Sequence, residues 1–136
     1  MLINKGIVYM APTIARFTLA LVVVTTASAA LAEEPAGDAS RGKIVFARCA
    51  ACHDAVAGVN RIGPTLKGVF GRRAGSLRGF AYSSALKTKA PSWNDTTLDA
   101  YLAAPMKFVP GTKMAFSGLP VADQRADLIA YLKTTR

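Results

Sequence analysis

Both cysteines of this 136-residue chain and its only histidine stand together in the segment Cys49–His53, with the spacing C-x-x-C-H. This spacing is typical of covalent haem attachment. Each thiol can form a thioether bond with one vinyl group of the same porphyrin, and the imidazole of the next residue can bind the iron from one side. We therefore predict one covalent haem, attached through Cys49 and Cys52, with His53 as an axial ligand.

Two other interpretations of this motif find less support in the sequence. A C-x-x-C pair also occurs in thioredoxin-type redox sites, but those sites need a βαβ context that the Ala-, Lys- and Gly-rich neighbourhood does not show. A structural zinc site needs four ligands, and the chain has only three Cys and His residues in total. The sequence therefore favours haem attachment.

The N-terminal residues have the pattern of a secretory signal peptide. Lys5 and Arg16 precede an apolar run at 17–26, and small residues follow at 27–32. Export would bring the two cysteines into an oxidising compartment, where unprotected thiols form disulfides. Thioether bonds to haem would prevent this. We therefore expect a periplasmic protein.

The signal peptide is expected to be removed. Cleavage after Ala32 fits the small-residue pattern best, with Ala29 as the other site, and Met10 is a second candidate start of the chain. The uncharged run 17–32 has 16 residues, fewer than the ~20 of a membrane-spanning helix. A retained anchor is therefore the less favoured alternative, and the predicted mature domain is 33–136.

The predicted mature domain is small and cationic. Without Lys5 and Arg16, the 17 basic residues become 15 against the same 8 acidic ones, which gives a net charge of +7. A core of this size gains stability from a covalent cofactor. The positive charge favours acidic partners. Nucleic acid is not expected, because no basic helix with base-reading side chains and no aromatic stacking platform is present.

The hydrophobic pattern predicts an all-α fold whose terminal helices cross. Asp38 is a good N-cap for a first helix that runs through Gly42 to Cys49, and the last helix extends from Val121 to about Thr135. A glycine inside a helix costs about 1 kcal/mol relative to alanine. We therefore expect another backbone, that of the last helix, to approach closely at Gly42.

Two shorter helices are expected between the terminal ones. The first covers 83–87, and the second is capped by Asn94 or Asp95 and ends at Pro105. The Gly- and Arg-rich run 68–79 could be a flexible linker, but because it contains interleaved apolar residues we expect it to wrap around a bound group. No alternating pattern of useful length predicts a strand.

A haem that only carries electrons needs a second axial ligand from the protein. After signal removal the chain retains two methionines, Met106 and Met114. Met114 lies in the segment 109–116, where Pro110 and Gly111 favour an extended chain that can place a thioether over the far face of the ring. Either methionine could instead fill space in the core. The sequence favours Met114 as the ligand over Met106.

Several motifs along the chain share one family pattern. They are Gly42, Phe46, Cys49–His53, Gly63-Pro64, Phe70–Arg72, Trp93, Pro110–Met114 and Leu128–Leu132. In these motifs the region from about residue 37 to 133 resembles the class I cytochromes c, in particular mitochondrial cytochrome c and its bacterial periplasmic relatives of the c2 type. The segment Pro110–Met114 and the terminal-helix residues make the resemblance specific, because many c-type cytochromes share C-x-x-C-H alone.

The resemblance implies the small all-α cytochrome c fold and further contacts to the haem. The carbonyl of Pro64 would accept the second imidazole N–H of His53. Tyr101 would lie near the methionine ligand, and Thr112 would belong to the same hydrogen-bond network. The residues that the resemblance places at the haem propionates are Arg72, Tyr82 and Trp93.

Two places depart from the family pattern. Leu86 stands where many relatives have an asparagine near the haem, so a hydrogen-bonding side chain is missing there. Residues 120–122 replace a lysine cluster. The docking surface of those relatives therefore does not transfer simply to this chain.

The resemblance implies a soluble, monomeric electron carrier and no enzyme activity. Its partners would be acidic-faced redox proteins of respiration or photosynthesis, such as a bc1-type complex and a terminal oxidase, peroxidase or reaction centre. Two alternatives remain: a cytochrome subunit of a dehydrogenase or oxidase, and a haem enzyme or ligand sensor with a labile methionine. The candidate cations of a positive docking rim are Arg48, Arg61, Lys107 and Lys113.

Overall fold

The fold is taken from a computed structural model and is described for residues 36–136. Its helices are α1 (Ala39–Phe46), α2 (Ser84–Lys89), α3 (Asp95–Ala103), α4 (Pro105–Phe108) and α5 (Ala122–Thr134). Within this range the chain forms no strand, and its one sheet-like pairing is an isolated antiparallel bridge between Arg73 and Ser92. The predicted all-α fold is confirmed. The predicted signal peptide, 1–32, lies outside the described residues.

The start of α1 was predicted correctly, but its end was not. The carboxylate of Asp38 accepts hydrogen bonds from the first backbone N–H groups of the helix, at 2.7 and 3.1 Å. The helix ends at Phe46 rather than Cys49. From Ala47 to Cys49 each N–H donates to the carbonyl three residues earlier, at 2.8–3.1 Å. The chain therefore tightens into turns before it reaches the cysteines.

The crossing of α1 and α5 occurs at Gly42, as predicted. A methyl group at this position would overlap the carbonyl of Asp127 and would lie 2.8 Å from Cβ of Tyr131. One turn further along α1, the ring of Phe46 packs on that of Tyr131, with 5.4 Å between centroids. The absence of a side chain at Gly42 thus allows the two backbones to touch.

A charged contact fixes the same crossing. Asp127 is 5 % exposed, and its two carboxylate oxygens accept from Nη2 and Nε of Arg41 at 2.8 and 2.7 Å. One of these oxygens also accepts from the backbone N–H of Asp38 at 2.7 Å. The hydrogen bonds from Arg41, followed by that from Asp38, lower the pKa of Asp127. The carboxylate therefore stays ionised and links the start of α1 to α5.

The shorter helices begin with side-chain caps. Asn94 and Thr97 form a capping box at α3, with each side chain accepting from the other's backbone N–H at 2.9 Å. The hydroxyl of Ser83 accepts from Leu86 N–H at 3.2 Å and starts α2. That helix extends two residues beyond the predicted end and stops at Ala90, whose φ of 35° is left-handed. The predicted positions of both helices are otherwise confirmed.

The core lies where α1, α3 and α5 meet the loops between them. Leu119 and Leu128 are among its largest fully buried side chains. Arg125 of α5 reaches Asp99 of α3 at 2.6 Å and also donates to the carbonyl of Leu119 at 2.8 Å. Between residues 36 and 136, no helix combines the length and the hydropathy that crossing a membrane requires.

Replacing Asp127 by asparagine should destabilise the protein near neutral pH and have less effect in acid. A carboxylate with a lowered pKa stabilises the fold above its unfolded pKa of about 3.9, and this contribution disappears as the pH falls through the lower folded pKa. Urea midpoints of the wild type and Asp127→Asn should therefore differ at neutral pH and should begin to converge as the pH falls below about 4.

The matched control is Asp123→Asn, an exposed aspartate in the first turn of α5. It should change the midpoint less than Asp127→Asn does at neutral pH. A difference between wild type and Asp127→Asn that is the same at every pH would contradict the proposed ionised contact.

Candidate haem site

A cavity of about 380 Å³ lies beside the C-x-x-C-H turn. All ten residues predicted for the site line it, and most of the other lining side chains are apolar. The predicted residues are Cys49, Cys52, His53, Pro64, Arg72, Tyr82, Trp93, Tyr101, Thr112 and Met114. Residues that are distant in sequence therefore meet in one place.

The turn after α1 presents the two cysteines together. The carbonyl of Cys49 accepts from the N–H of Cys52 at 3.0 Å and from that of His53 at 2.9 Å. Arg61 donates to the carbonyl of Ala50 at 3.1 Å and ties the turn to the following loop. Burial raises the pKa of the Cys49 thiol. The thiol is therefore neutral near pH 7 and half-buried at the cavity wall.

The imidazole of His53 is oriented by a backbone carbonyl. Its Nδ1 lies 2.7 Å from the carbonyl oxygen of Pro64. Since a carbonyl oxygen can only accept, in the neutral imidazole Nδ1 carries the proton and Nε2 has the lone pair that can bind a metal. A side chain at Gly63 would overlap the imidazole ring. Gly63 and Pro64 thus form a backbone surface against which His53 is held.

The thioether of Met114 has its own set of contacts. The hydroxyl of Tyr101 lies 3.7 Å from Sδ of Met114 and 3.2 Å from Oγ1 of Thr112. Oγ1 of Thr112 also accepts from the N–H of Met114 at 3.3 Å. Burial raises the pKa of Tyr101, so the phenol keeps its proton and can donate it. Met106, the other candidate, is 58 % exposed on α4 and does not line the cavity.

The three residues predicted at the propionates lie in the cavity wall. Arg72 donates to the carbonyls of Thr65 and Lys67, at 2.7 and 3.1 Å. Its guanidinium therefore has backbone partners that the sequence did not indicate. Trp93 packs on a neighbouring aromatic ring at 5.0 Å between centroids, and burial raises the pKa of Tyr82. Their roles toward a haem stay predictions.

Some lining residues were not predicted. Leu98 and Leu102 stand one helical turn apart on the face of α3 that carries Tyr101, and this spacing was a usable signal. Ser83 was detectable only as a helix cap. The further lining residues that the sequence analysis left out include Ile62, Leu66, Val69, Phe116 and Leu132.

Two features of the cavity bear on earlier expectations. Leu86 is 8 % exposed and lines the cavity, so the departure from asparagine makes this part of the wall apolar.

Of the four candidate rim cations, Arg48 and Lys113 line the cavity. Arg61 and Lys107 do not line it.

The donor atoms fit a covalently attached haem. Two thiols on one turn, an imidazole with a free Nε2 and a thioether all face one largely apolar cavity. A zinc site has less support, because across residues 36–136 no group of three or more His, Cys, Asp or Glu side chains is arranged to hold a metal ion.

Known proteins match most of the described region in sequence. A family model described as cytochrome c matches residues 39–136. The cytochrome c of Guizotia abyssinica is 49 % identical over 109 residues, covering 79 % of this chain and 98 % of that protein. The cytochrome c of Chlamydomonas reinhardtii is 52 % identical over 104 residues, 75 % and 93 % of the two chains. The chain therefore belongs to the cytochrome c family.

A solved structure agrees with this assignment. Cytochrome cH from Methylobacterium extorquens has a TM-score of 0.69 and 48 % sequence identity, and the match covers 72 % of this chain and 99 % of that chain. The class I resemblance is thus confirmed. The protein binds one haem c covalently through Cys49 and Cys52. It is a mono-haem electron carrier that acts with redox partners.

Replacing Gly63 by alanine should destabilise the haem-loaded protein. The added methyl group would overlap the imidazole of His53 and would push the ring away from the carbonyl of Pro64. Overpacking of this kind typically costs 1–3 kcal/mol, so we expect a loss of about 2 kcal/mol in the free energy of unfolding. Urea denaturation followed by haem absorption would measure it.

The control is Val56→Ala in the same loop, where the side chain is 71 % exposed. This change should alter the free energy of unfolding by less than about 0.5 kcal/mol. Equal midpoints for Gly63→Ala and Val56→Ala would show that the contact between Gly63 and His53 is not tight.

Proposed function

We propose that the mature protein is a soluble one-electron shuttle whose haem iron is bound by His53 and Met114. The observation that carries this proposal is that an imidazole with a free Nε2 and a partly buried thioether line the same cavity. When bound, the haem supplies a one-electron iron couple. The protein itself supplies the ligands, the apolar surroundings and the surface that partners meet.

The ligand pair explains why the protein would carry electrons without doing further chemistry. If His53 and Met114 both hold the iron, no position on it would remain for a substrate. A soft thioether and a neutral imidazole favour ferrous iron over ferric iron relative to harder ligands. The apolar lining, including Leu86, acts in the same direction because it solvates the extra charge of the oxidised site poorly. A positive reduction potential follows.

The hydrogen bond from Tyr101 tunes the same ligand. Its O–H lies 3.7 Å from the sulfur of Met114, and donation to the sulfur withdraws electron density from it. Thr112 holds the tyrosine hydroxyl and the N–H of Met114 at once. The two residues together therefore position the thioether and make it a weaker donor.

The charge of the protein supports transient contact with acidic-faced redox partners. Arg48 and Lys113 are exposed and line the cavity that would hold the haem. Cations around a redox site steer acidic partners toward it and raise the association rate. The partners that the resemblance implies are a bc1-type complex as donor and a terminal oxidase, peroxidase or reaction centre as acceptor. The signal-like N-terminal sequence supports a periplasmic location for this exchange.

Replacing Met114 by leucine should open one axial position. The reduced variant should bind carbon monoxide rapidly and should lose the sulfur-to-iron charge-transfer band of the oxidised state. Met106→Leu is the matched control, because Met106 is exposed and lies outside the cavity lining. It should behave like the wild type, which should bind carbon monoxide slowly. Rapid binding by the wild type would instead favour a ligand sensor or haem enzyme.

The reaction with an acidic partner should depend on salt. Electrostatic steering raises association rates by 10–10³-fold and weakens as ionic strength rises, so the rate with a bc1-type complex should fall by about tenfold from low to high salt. Arg48→Gln and Lys113→Gln should lower the rate at low salt. The control is Lys43→Gln on the exposed side of α1, which should have little effect. Rates that are independent of salt would argue against the positive rim.

A further inference from the structure

The net positive charge of the domain is concentrated in one segment. Residues 55–94 contain no Asp or Glu. Their cations are Arg61, Lys67, Arg72, Arg73, Arg78, Lys87 and Lys89. The ion pairs within residues 36–136 all use lysines and arginines from other segments. In the part of the chain that the structure describes, the cations of 55–94 therefore have no carboxylate partner.

Two of these cations flank a second cleft. It has a volume of about 260 Å³ and is lined by Arg73 and Lys87 together with Ala74, Gly75, Ser76 and Ala90. The cleft and the haem cavity have no lining residue in common. Both Arg73 and Lys87 are exposed, so a solute can reach them. The site is thus a separate cationic opening on the surface.

The turn that forms one wall of the cleft is held by its own hydrogen bonds. The carbonyl of Arg73 accepts from the backbone N–H of Ser76 at 3.3 Å and from its hydroxyl at 2.7 Å. The N–H of Ala74 donates to the carbonyl of Pro91 at 2.8 Å. The position of Arg73 is therefore fixed at the level of the backbone.

Gly75 brings this turn close to α2. Its φ is +74°, and a methyl group there would lie 3.2 Å from Cα and 3.3 Å from Cγ of Lys87. Among residues 36–136, the N–H of Gly75 has no protein acceptor. The residues that line the cleft thus include an arginine, a lysine and a glycine whose N–H has no acceptor among residues 36–136.

We propose that this cleft binds a phosphate-type oxyanion, either free phosphate or the phosphate of a lipid headgroup. The planar guanidinium of Arg73 can donate two parallel hydrogen bonds to a phosphate, while Lys87 supplies a point charge. The N–H of Gly75 adds a neutral donor. Lys87 stands in the last turn of α2, where the negative end of the helix dipole offsets part of its positive charge. Arg73 is therefore the principal contact.

Anion binding in the cleft would also act on residues that line the haem cavity. The segment that follows the cleft pairs with the cavity wall, since the N–H of Trp93 donates to the carbonyl of Arg72 at 2.9 Å. Both of these residues line the haem cavity. A bound anion would in addition reduce the positive charge that attracts acidic partners.

The test is a titration of the reduced, haem-loaded protein with inorganic phosphate at constant ionic strength, followed by amide NMR. The amide signals of Gly75 and Ser76 should shift and saturate. Arg73→Gln and Lys87→Gln should each weaken phosphate binding about tenfold or more, because each removes a charge-assisted contact. Lys67→Gln and Lys89→Gln are matched controls that remove the same charge from the same segment outside the cleft.

Two results of this titration would overturn the proposal. Amide signals at 73–76 that do not saturate, or equal weakening in the cleft variants and the controls, would overturn the proposal. Unchanged haem spectra and urea midpoints in all variants would establish that the folds are comparable.

Sedimentation with phosphatidylglycerol and phosphatidylcholine vesicles then identifies the source of the bound phosphate group. Weaker binding to phosphatidylglycerol by Arg73→Gln than by Lys67→Gln would support a lipid headgroup, and equal vesicle binding together with a specific phosphate titration would support a soluble phosphate.

Discussion

The backbone contact between Gly42 and Asp127 is the constraint on which the rest of the structure depends. It brings α1 against α5 closely enough for Arg41 to reach the buried carboxylate of Asp127. The chain leaves α1 a few residues later and enters the turn that carries the two cysteines. The position of the haem attachment site is therefore set by the crossing of the two terminal helices.

Loops, and not helices, present the groups that would bind iron. His53 is held against Gly63 and Pro64, and Met114 lies in an extended segment whose Thr112 hydroxyl contacts Tyr101 of α3. Loop segments can follow the outline of a flat ring, while the helices supply a stable frame behind them. This division explains how a domain with a small core can enclose a large cofactor.

The sequence was most informative where one residue type has one physical use. The C-x-x-C-H motif predicted the attachment turn, Asp38 predicted the start of α1, and Gly42 predicted the crossing. It was less informative where the local structure depends on contacts with surrounding residues. The end of α1 at Phe46 depends on a change from four- to three-residue hydrogen bonds, and the partners of Arg72 depend on the path of a distant loop. The signal peptide remains a sequence-based prediction.

The acceptor opposite Nδ1 of His53 is the carbonyl of Pro64 and belongs to the main chain. Every amino acid carries the same carbonyl, so a point substitution at this position cannot delete the acceptor. At this contact, evolution can alter the hydrogen bond to the imidazole by displacing the peptide but not by replacing the side chain. The electronic character of the histidine is thereby protected from mutational drift, whereas the Tyr101 hydroxyl beside Met114 can be lost through a single codon change.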